Sequence, residues 1–159
     1  MTNAYATLAN NGTRNTMRII DSIRDKYNKT IFITESDREQ AISSQGAYLV
    51  SNILSDNATR ARMFGSSLNV VGVDGQTKSV AVKTGTTDDA RDAWTIGYTP
   101  DVAVGVWVGN NDNTAMLSGG ADMAGPIWQQ TIRAAIGTKS PAFVQPDGIV
   151  KRTVCTNGG

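Results

Sequence analysis

The sequence contains no histidine. That removes a Ser-His-Asp triad and the commonest zinc ligand. Its single cysteine, Cys155, cannot close an internal disulfide and lacks the histidine partner that a thiol nucleophile commonly uses. It reads as a tail residue, buried or paired outside the chain. Charge is sparse and balanced: 15 basic and 14 acidic residues give +1, with no basic block. Phosphate-driven nucleic-acid binding is therefore not expected. No apolar run approaches the roughly 20 residues that span a bilayer. The start, Met1-Thr2-Asn3-Ala4-Tyr5-Ala6, lacks the charged and long apolar regions of a signal peptide. No serine stands three residues before a lysine, so there is no Ser-x-x-Lys nucleophile element. Asp88, Asp89 and Asp92 could suggest a metal site, but carboxylates in a hairpin turn read as solvated turn residues, and no metal or cofactor is expected.

What remains is an ordinary core-forming composition: 159 residues, 40% apolar, about one domain by length. Residues 3–11 read as a helix end, with Ala4, Tyr5, Leu8 and Ala9 at helical spacing and Asn11-Gly12 as the stop. Met17, Ile19, Ile20 and Ile23, then Ile31, Phe32 and Ile33, flank a polar stretch and predict a hairpin turning near Asn28. Ser36-Asp37-Arg38-Glu39 fits a capping box, but the stripe of Ala47, Leu49, Val50, Ile53 and Leu54 favours a helix from about 44 to 56. Residues 58–78 read as a long connection.

From Ser79 the pattern becomes β: runs at 79–87, 93–99 and 102–109, joined by short turns, predict antiparallel neighbours. Val102 to Gly109 is apolar on both faces and predicts a strand covered on both sides; the run holding Lys83 turns polar, which suits an edge. A last helix is expected at about 125–136, with Pro126 in its first turn. Two regions follow, a folded part over 1–137 and an extended tail over 138–159. Trp94, Tyr98, Trp107 and Trp128 read as core aromatics rather than a ligand-stacking cluster.

The stretch that carries chemistry is Lys83-Thr84-Gly85-Thr86-Thr87, at the end of the run Ser79 to Val82. A lysine and hydroxyls can bind a carboxylate, and a glycine lets a peptide backbone approach a strand edge. Taken alone, Lys83 reads equally well as an exposed edge-strand lysine that discourages aggregation, and the threonines as plain β-formers. Strict alternation also puts Thr84 and Thr86 on one face and Lys83, Gly85 and Thr87 on the other.

Five blocks together resemble the penicillin-binding transpeptidases. They are Ala4 to Gly12, Lys83 to Thr87, Asp92-Ala93-Trp94 with Gly97-Tyr98-Thr99-Pro100, Gly105 to Gly109, and Ala124-Gly125-Pro126-Ile127-Trp128. The resemblance spans nearly the whole chain in the family's order and is nearest to the bifunctional, class A peptidoglycan synthases. It implies an α+β fold, helices covering a central antiparallel sheet, of which this chain is the C-terminal half. It implies a serine D,D-transpeptidase or carboxypeptidase whose partners are peptidoglycan stem peptides, β-lactams and the N-terminal half of the same domain. It also implies an extracytoplasmic parent, anchored in the membrane only through a part upstream of this chain.

By that resemblance Lys83 and Thr86 are catalytic, Lys83 placing a charge beside the nucleophile and the Thr86 N–H completing the oxyanion hole. Lys83, Thr84, Gly85, Thr86 and Thr87 line the substrate. Ser55-Asp56-Asn57 spells the family's third element, yet it lies at a predicted helix end and after the Ala4–Gly12 block, so it is set aside as a terminator. The nucleophile is then expected upstream of Met1, and this chain alone is expected to be inactive. Two other readings stay open: a non-catalytic sensor or scaffold module that binds peptides or β-lactams, and a serine β-lactamase relative.

Overall fold

The computed structural model describes residues 1–139 and 142–153; Cys155 lies outside them. Helix α1 (Thr2–Ala9) stops at Asn11 and Gly12, whose φ values of 51° and 85° are left-handed. Strand β1 (Thr13–Asn15) leads to β2 (Ser22–Arg24) and β3 (Thr30–Ile33), the predicted hairpin, and β4 (Arg38–Gln40) returns antiparallel to β1. Asp25 builds the hairpin turn: its Oδ1 accepts the Tyr27 and Lys29 N–H groups at 2.8 and 2.9 Å, and Asn28 takes φ 65°. Met17, Ile19 and Ile20, expected in the first arm, precede β2 and lie exposed. The β1–β4 pair was not foreseen, because Thr-Arg-Asn and Arg-Glu-Gln carry no apolar alternation to read.

Helix α2 (Ser44–Leu54) begins where the later start placed it, with the Ser43 hydroxyl accepting the Gly46 N–H at 3.2 Å. The competing box is excluded by Arg38–Gln40 being extended. The expected connection over 58–78 is corrected. It contains helix α3 (Asn57–Phe64) and a small antiparallel pair, β5 (Val70–Val71) and β6 (Thr77–Lys78). Asp56 is not a terminator but the N-cap of α3, its Oδ1 accepting from Ala58 N at 2.9 Å and Thr59 N at 3.0 Å. Arg60 then reaches back to the Leu54 carbonyl at 2.6 Å and closes the junction between the two helices. α3 has no apolar stripe, so only the cap marked it. The same segment sends Leu68 and Val70 into the core.

The main sheet has the order β7 (Ala81–Thr86), β8 (Asp92–Tyr98), β9 (Ala103–Gly109), all antiparallel. Register puts Val82, Gly97 and Val104 on one face with Thr84, Thr95 and Val106, and Lys83, Ile96 and Gly105 on the other with Gly85, Trp94 and Trp107. Short α4 (Gly120–Met123) and α5 (Gly125–Ile136) cover the first face, and α1 and α2 pack from the other side. The core on the α5 side gathers Leu68, Val70, Val80, Val82, Trp128, Ile132 and Ile136. Gly97 is the slot for Trp128: a Cβ there would stand 2.3 Å from the indole Cζ2.

The expectation about β9 holds in part. Helices pack on both of its faces, α1 on one and α5 on the other, but as an edge strand among the described residues it leaves Trp107 44% exposed. β8, less apolar in sequence, is the buried strand, because it alone has a strand on each side as well as helices above and below. On the α1 side Tyr98 hydrogen-bonds Ser51 at 3.0 Å and meets Tyr5 and Phe143 edge-on, at 6.1 and 5.7 Å between centroids. Burial raises the Tyr98 phenol above its ordinary value. Gln45 holds the Asp147 carbonyl at 3.0 Å, so part of the tail straps back over α2.

Candidate functional site

β7 pairs with β8 alone among the described residues, so its outer edge is free. Which backbone groups face that edge follows from one bond. The Thr87 N–H donates to the Asp92 carbonyl at 3.0 Å, inward to β8. Alternation then turns the N–H and C=O groups of Thr86 and Thr84 outward. The Lys83 side chain starts on the Gly85–Trp94 face but its ammonium bends round to donate to the Thr84 carbonyl at 2.7 Å. Lysine length thus answers the difficulty that alternation raised. The cation and the outward Thr86 N–H meet on the same margin, although Lys83 and Thr86 point to opposite faces.

Two grooves flank the margin. One, of about 250 Å³, is lined by Tyr5, Lys83, Gly85, Thr87, Trp94 and Ile96. The other, of about 230 Å³, is lined by Leu54, Arg60, Phe64, Val82, Lys83 and Thr84. A Cβ built on Gly85 would find nothing closer than Trp94 Cβ at 3.7 Å. Packing inside this chain therefore does not demand glycine there; an approaching backbone would. The Thr84 hydroxyl makes no hydrogen bond within the described residues. That of Thr86 accepts the Gly120 N–H at 3.0 Å and keeps its own hydrogen to donate.

Gly120 holds the far face of this strand pair. Its carbonyl accepts from Thr95 Oγ1 at 2.8 Å, and a Cβ on it would lie 2.5 Å from both the Gly85 and Trp94 carbonyls. No side chain fits. The neighbouring Thr87 hydroxyl is committed elsewhere, accepting the Asp92 N–H at 2.8 Å and donating to Asp92 Oδ2 at 3.0 Å. Thr87 lines the groove with its donor already used.

Asp92 corrects another expectation. Asp88 and Asp89 are exposed turn carboxylates, Asp89 in an exposed ion pair with Arg91 at 3.6 Å. Asp92 instead bonds both the Thr87 hydroxyl and, at 2.8 Å, the Trp107 indole N–H. The aromatics divide likewise. Trp128 and Tyr98 are core, Trp94 is half-buried on the groove, and Trp107 is a partly exposed donor. Sequence reading singled out Lys83 to Thr87 but missed Gly120 and the work of Asp92. The only signals were the Gly119-Gly120 pair and an aspartate fifteen positions before a tryptophan.

Comparison with known proteins bears on the fold and the family. Penicillin-binding protein A from M. tuberculosis, solved as a ceftriaxone acyl-enzyme complex, aligns with a TM-score of 0.67 and 25% identity, over 85% of this chain and 31% of that one. Penicillin-binding protein 1A from Haemophilus influenzae gives 0.69 at 21% identity, over 89% and 26%, a likeness of fold alone. The fold is therefore the α+β architecture of penicillin-binding transpeptidases. The sequence profile described as the penicillin binding protein transpeptidase domain matches residues 1–133, and this chain belongs to that family. Penicillin-binding protein 1A of Neisseria meningitidis is 30% identical over 92% of the chain. Its namesake in Clostridium acetobutylicum is 31% identical over 95%. The chain spans only 19% and 18% of those two proteins.

Proposed function

We propose that this chain is the C-terminal part of a class A D,D-transpeptidase domain, with residues 1–137 in the folded domain and 138–159 as its tail. The observation that carries this reading is the open β7 margin, where the Lys83 ammonium, the outward Thr86 N–H and the unobstructed Gly85 stand together. A stem peptide or β-lactam lies along that margin as an added strand. Lys83 and the hydroxyls of Thr84 and Thr86 hold its carboxylate, Gly85 lets its backbone come close, and Thr87 closes the groove. Two unit charges at 4 Å are worth about 1 kcal/mol in water and about 4 at an effective dielectric of 20, so the grip tightens as substrate excludes water.

A serine from the N-terminal half attacks the carbonyl carbon of the penultimate D-alanine. Its proton passes to a neighbouring base, the C–N bond breaks, and the leaving D-alanine takes up a proton. An amine, or water in carboxypeptidase mode, then releases the acyl group and restores the serine. The Thr86 N–H bears on the oxygen that becomes negative, and losing such a donor costs about 10²–10³ in rate. By likeness to its relatives, this outward-facing enzyme would be anchored through its upstream part; among the described residues no helix is long and apolar enough to cross a membrane.

The test is labelled-penicillin acylation of the protein carrying its upstream sequence. A covalent adduct on an upstream serine is expected, and Lys83→Ala should slow its formation roughly 10²-fold or more. Labelling of the isolated chain, or unchanged acylation of Lys83→Ala, would refute the assignment. Reversible binding without an adduct would replace it with the non-catalytic module.

A further inference from the structure

We propose that Asp92 is a positioning residue for acyl transfer, fixing through Thr87 the direction in which the Thr86 N–H points; this rests on the transpeptidase reading of β7.

The case begins with a connection that does not hold itself in shape. Between Thr87 and Asp92 the chain passes through Asp89 at φ 58° and Ala90 at φ 51°, two consecutive left-handed residues without glycine. That conformation is disfavoured by the Cβ of each. Left to itself the turn would relax, and the last residues of β7 would rotate with it. The surroundings hold it from one side: Met116 N donates to the Ala90 carbonyl at 2.9 Å, and Arg91 to the Asn113 carbonyl at 2.8 Å.

Asp92 holds it from the other. Its backbone closes the strand pair, with its carbonyl on Thr87 N and its N–H on Thr87 Oγ1, at 3.0 and 2.8 Å. Its carboxylate then accepts one hydrogen from Thr87 Oγ1 at 3.0 Å and one from Trp107 Nε1 at 2.8 Å. One side chain thereby joins the end of β7 to β9 across β8. The peptide after Thr86 is clamped inward by Thr87, and the Thr86 side chain is pinned by Gly120 at 3.0 Å. With both flanks fixed, the Thr86 N–H has one orientation, outward at the margin. An oxyanion donor works through preorganisation, so a small loss of aim acts on the transition state more than on ground-state binding.

Three single variants, one double variant and one control test this in the protein with its upstream sequence, by acylation kinetics with a labelled penicillin and by amide hydrogen exchange. Asp92→Ala and Thr87→Val should each lower the acylation rate constant about 10- to 100-fold, part of what outright loss of an oxyanion donor costs. In Asp92→Ala the reversible dissociation constant should move less than threefold or so, and the double variant should be no slower than the slower single one. Asp92→Asn, which keeps one acceptor, should recover part of the rate. Asp88→Ala, in the same turn, should leave it unchanged. Exchange at the Thr87 amide should quicken in Asp92→Ala whatever the catalytic outcome, which separates this inference from the reading beneath it. Should Asp92→Ala not fold, Thr87→Val carries the same comparison. Unchanged acylation and Thr87 exchange in either variant, or additive losses in the double variant, would overturn the proposal.

Discussion

The β7–β9 sheet and the segment from Thr13 to Gln40 are both β-rich and both carry runs of branched apolar residues, yet they end in opposite states. In the first, Ala81, Val82, Ala93, Ile96 and Tyr98 are buried between helical layers. In the second, Ile19, just before β2, is 91% exposed, and Ile31 and Ile33 are 62% and 67% exposed on the β2–β3 pair, against which no helix packs closely among the described residues. Isolated two-strand pairs are marginal in water. What shapes 13–40 is local: an Asp25 turn, a left-handed Asn28, and the exposed Arg14–Glu39 pair at 3.5 Å across β1 and β4. The sheet, by contrast, exists through packing, and of its two edges among the described residues the β7 margin is where the chemistry is proposed to lie.

The largest expected effect contrasts the two cores directly. Trp128→Ala should cost about 3–5 kcal/mol in denaturant unfolding, because a fully buried indole leaves a cavity against Gly97. Ile31→Thr on the hairpin should stay within about 0.5 kcal/mol. Equal losses would mean that the hairpin is packed against something as firmly as the sheet is.

Next, Gly97→Ala should cost about 1–3 kcal/mol by overpacking, since its methyl meets both Trp128 and the Ala81 carbonyl. Gly85→Val should separate function from stability in the opposite sense. It should leave the melting transition nearly in place and still block acylation, because its side chain enters the groove. A matching loss of stability would make Gly85 a packing residue.

The smallest effect is a pH dependence. Hydrogen bonds from the Thr59 hydroxyl and backbone hold the Asp56 carboxyl below its ordinary value, as the Lys78 ammonium does for Asp74. Both pKa values are depressed on folding. Their stabilisation is therefore full above the ordinary carboxylate range and is lost as pH falls through the folded-state values. Hydrogen exchange in α3 should quicken on acidification, and Asp56→Ala should quicken it at neutral pH and flatten that dependence.

Much of this molecule was readable in advance where a signal repeats. The three runs of the sheet, the hairpin and α5 were placed to within a few residues, because alternation, turn residues and a proline in a first turn are local signs. The β1 and β4 triplets and α3 carried none: they are polar, and only a partner strand or a single capping aspartate fixes them. At the site the same division holds. Lys83 to Thr87 stood out as a string, whereas Gly120 acts through contacts with residues 25 and 34 positions away.

The amino-acid order by itself determined the three sheet strands and the β2–β3 hairpin, their antiparallel sense and the chemistry available on β7, since propensity, period and turn residues operate over a few neighbours. It did not determine that the buried strand is β8 rather than the more apolar β9. Nor did it bring Lys83 and the Thr86 N–H to one margin, or turn Asp92 from a solvated turn carboxylate into the tie between β7 and β9. Those outcomes depend on which surfaces meet and which edge stays open, and such distances arise only when the whole chain is packed.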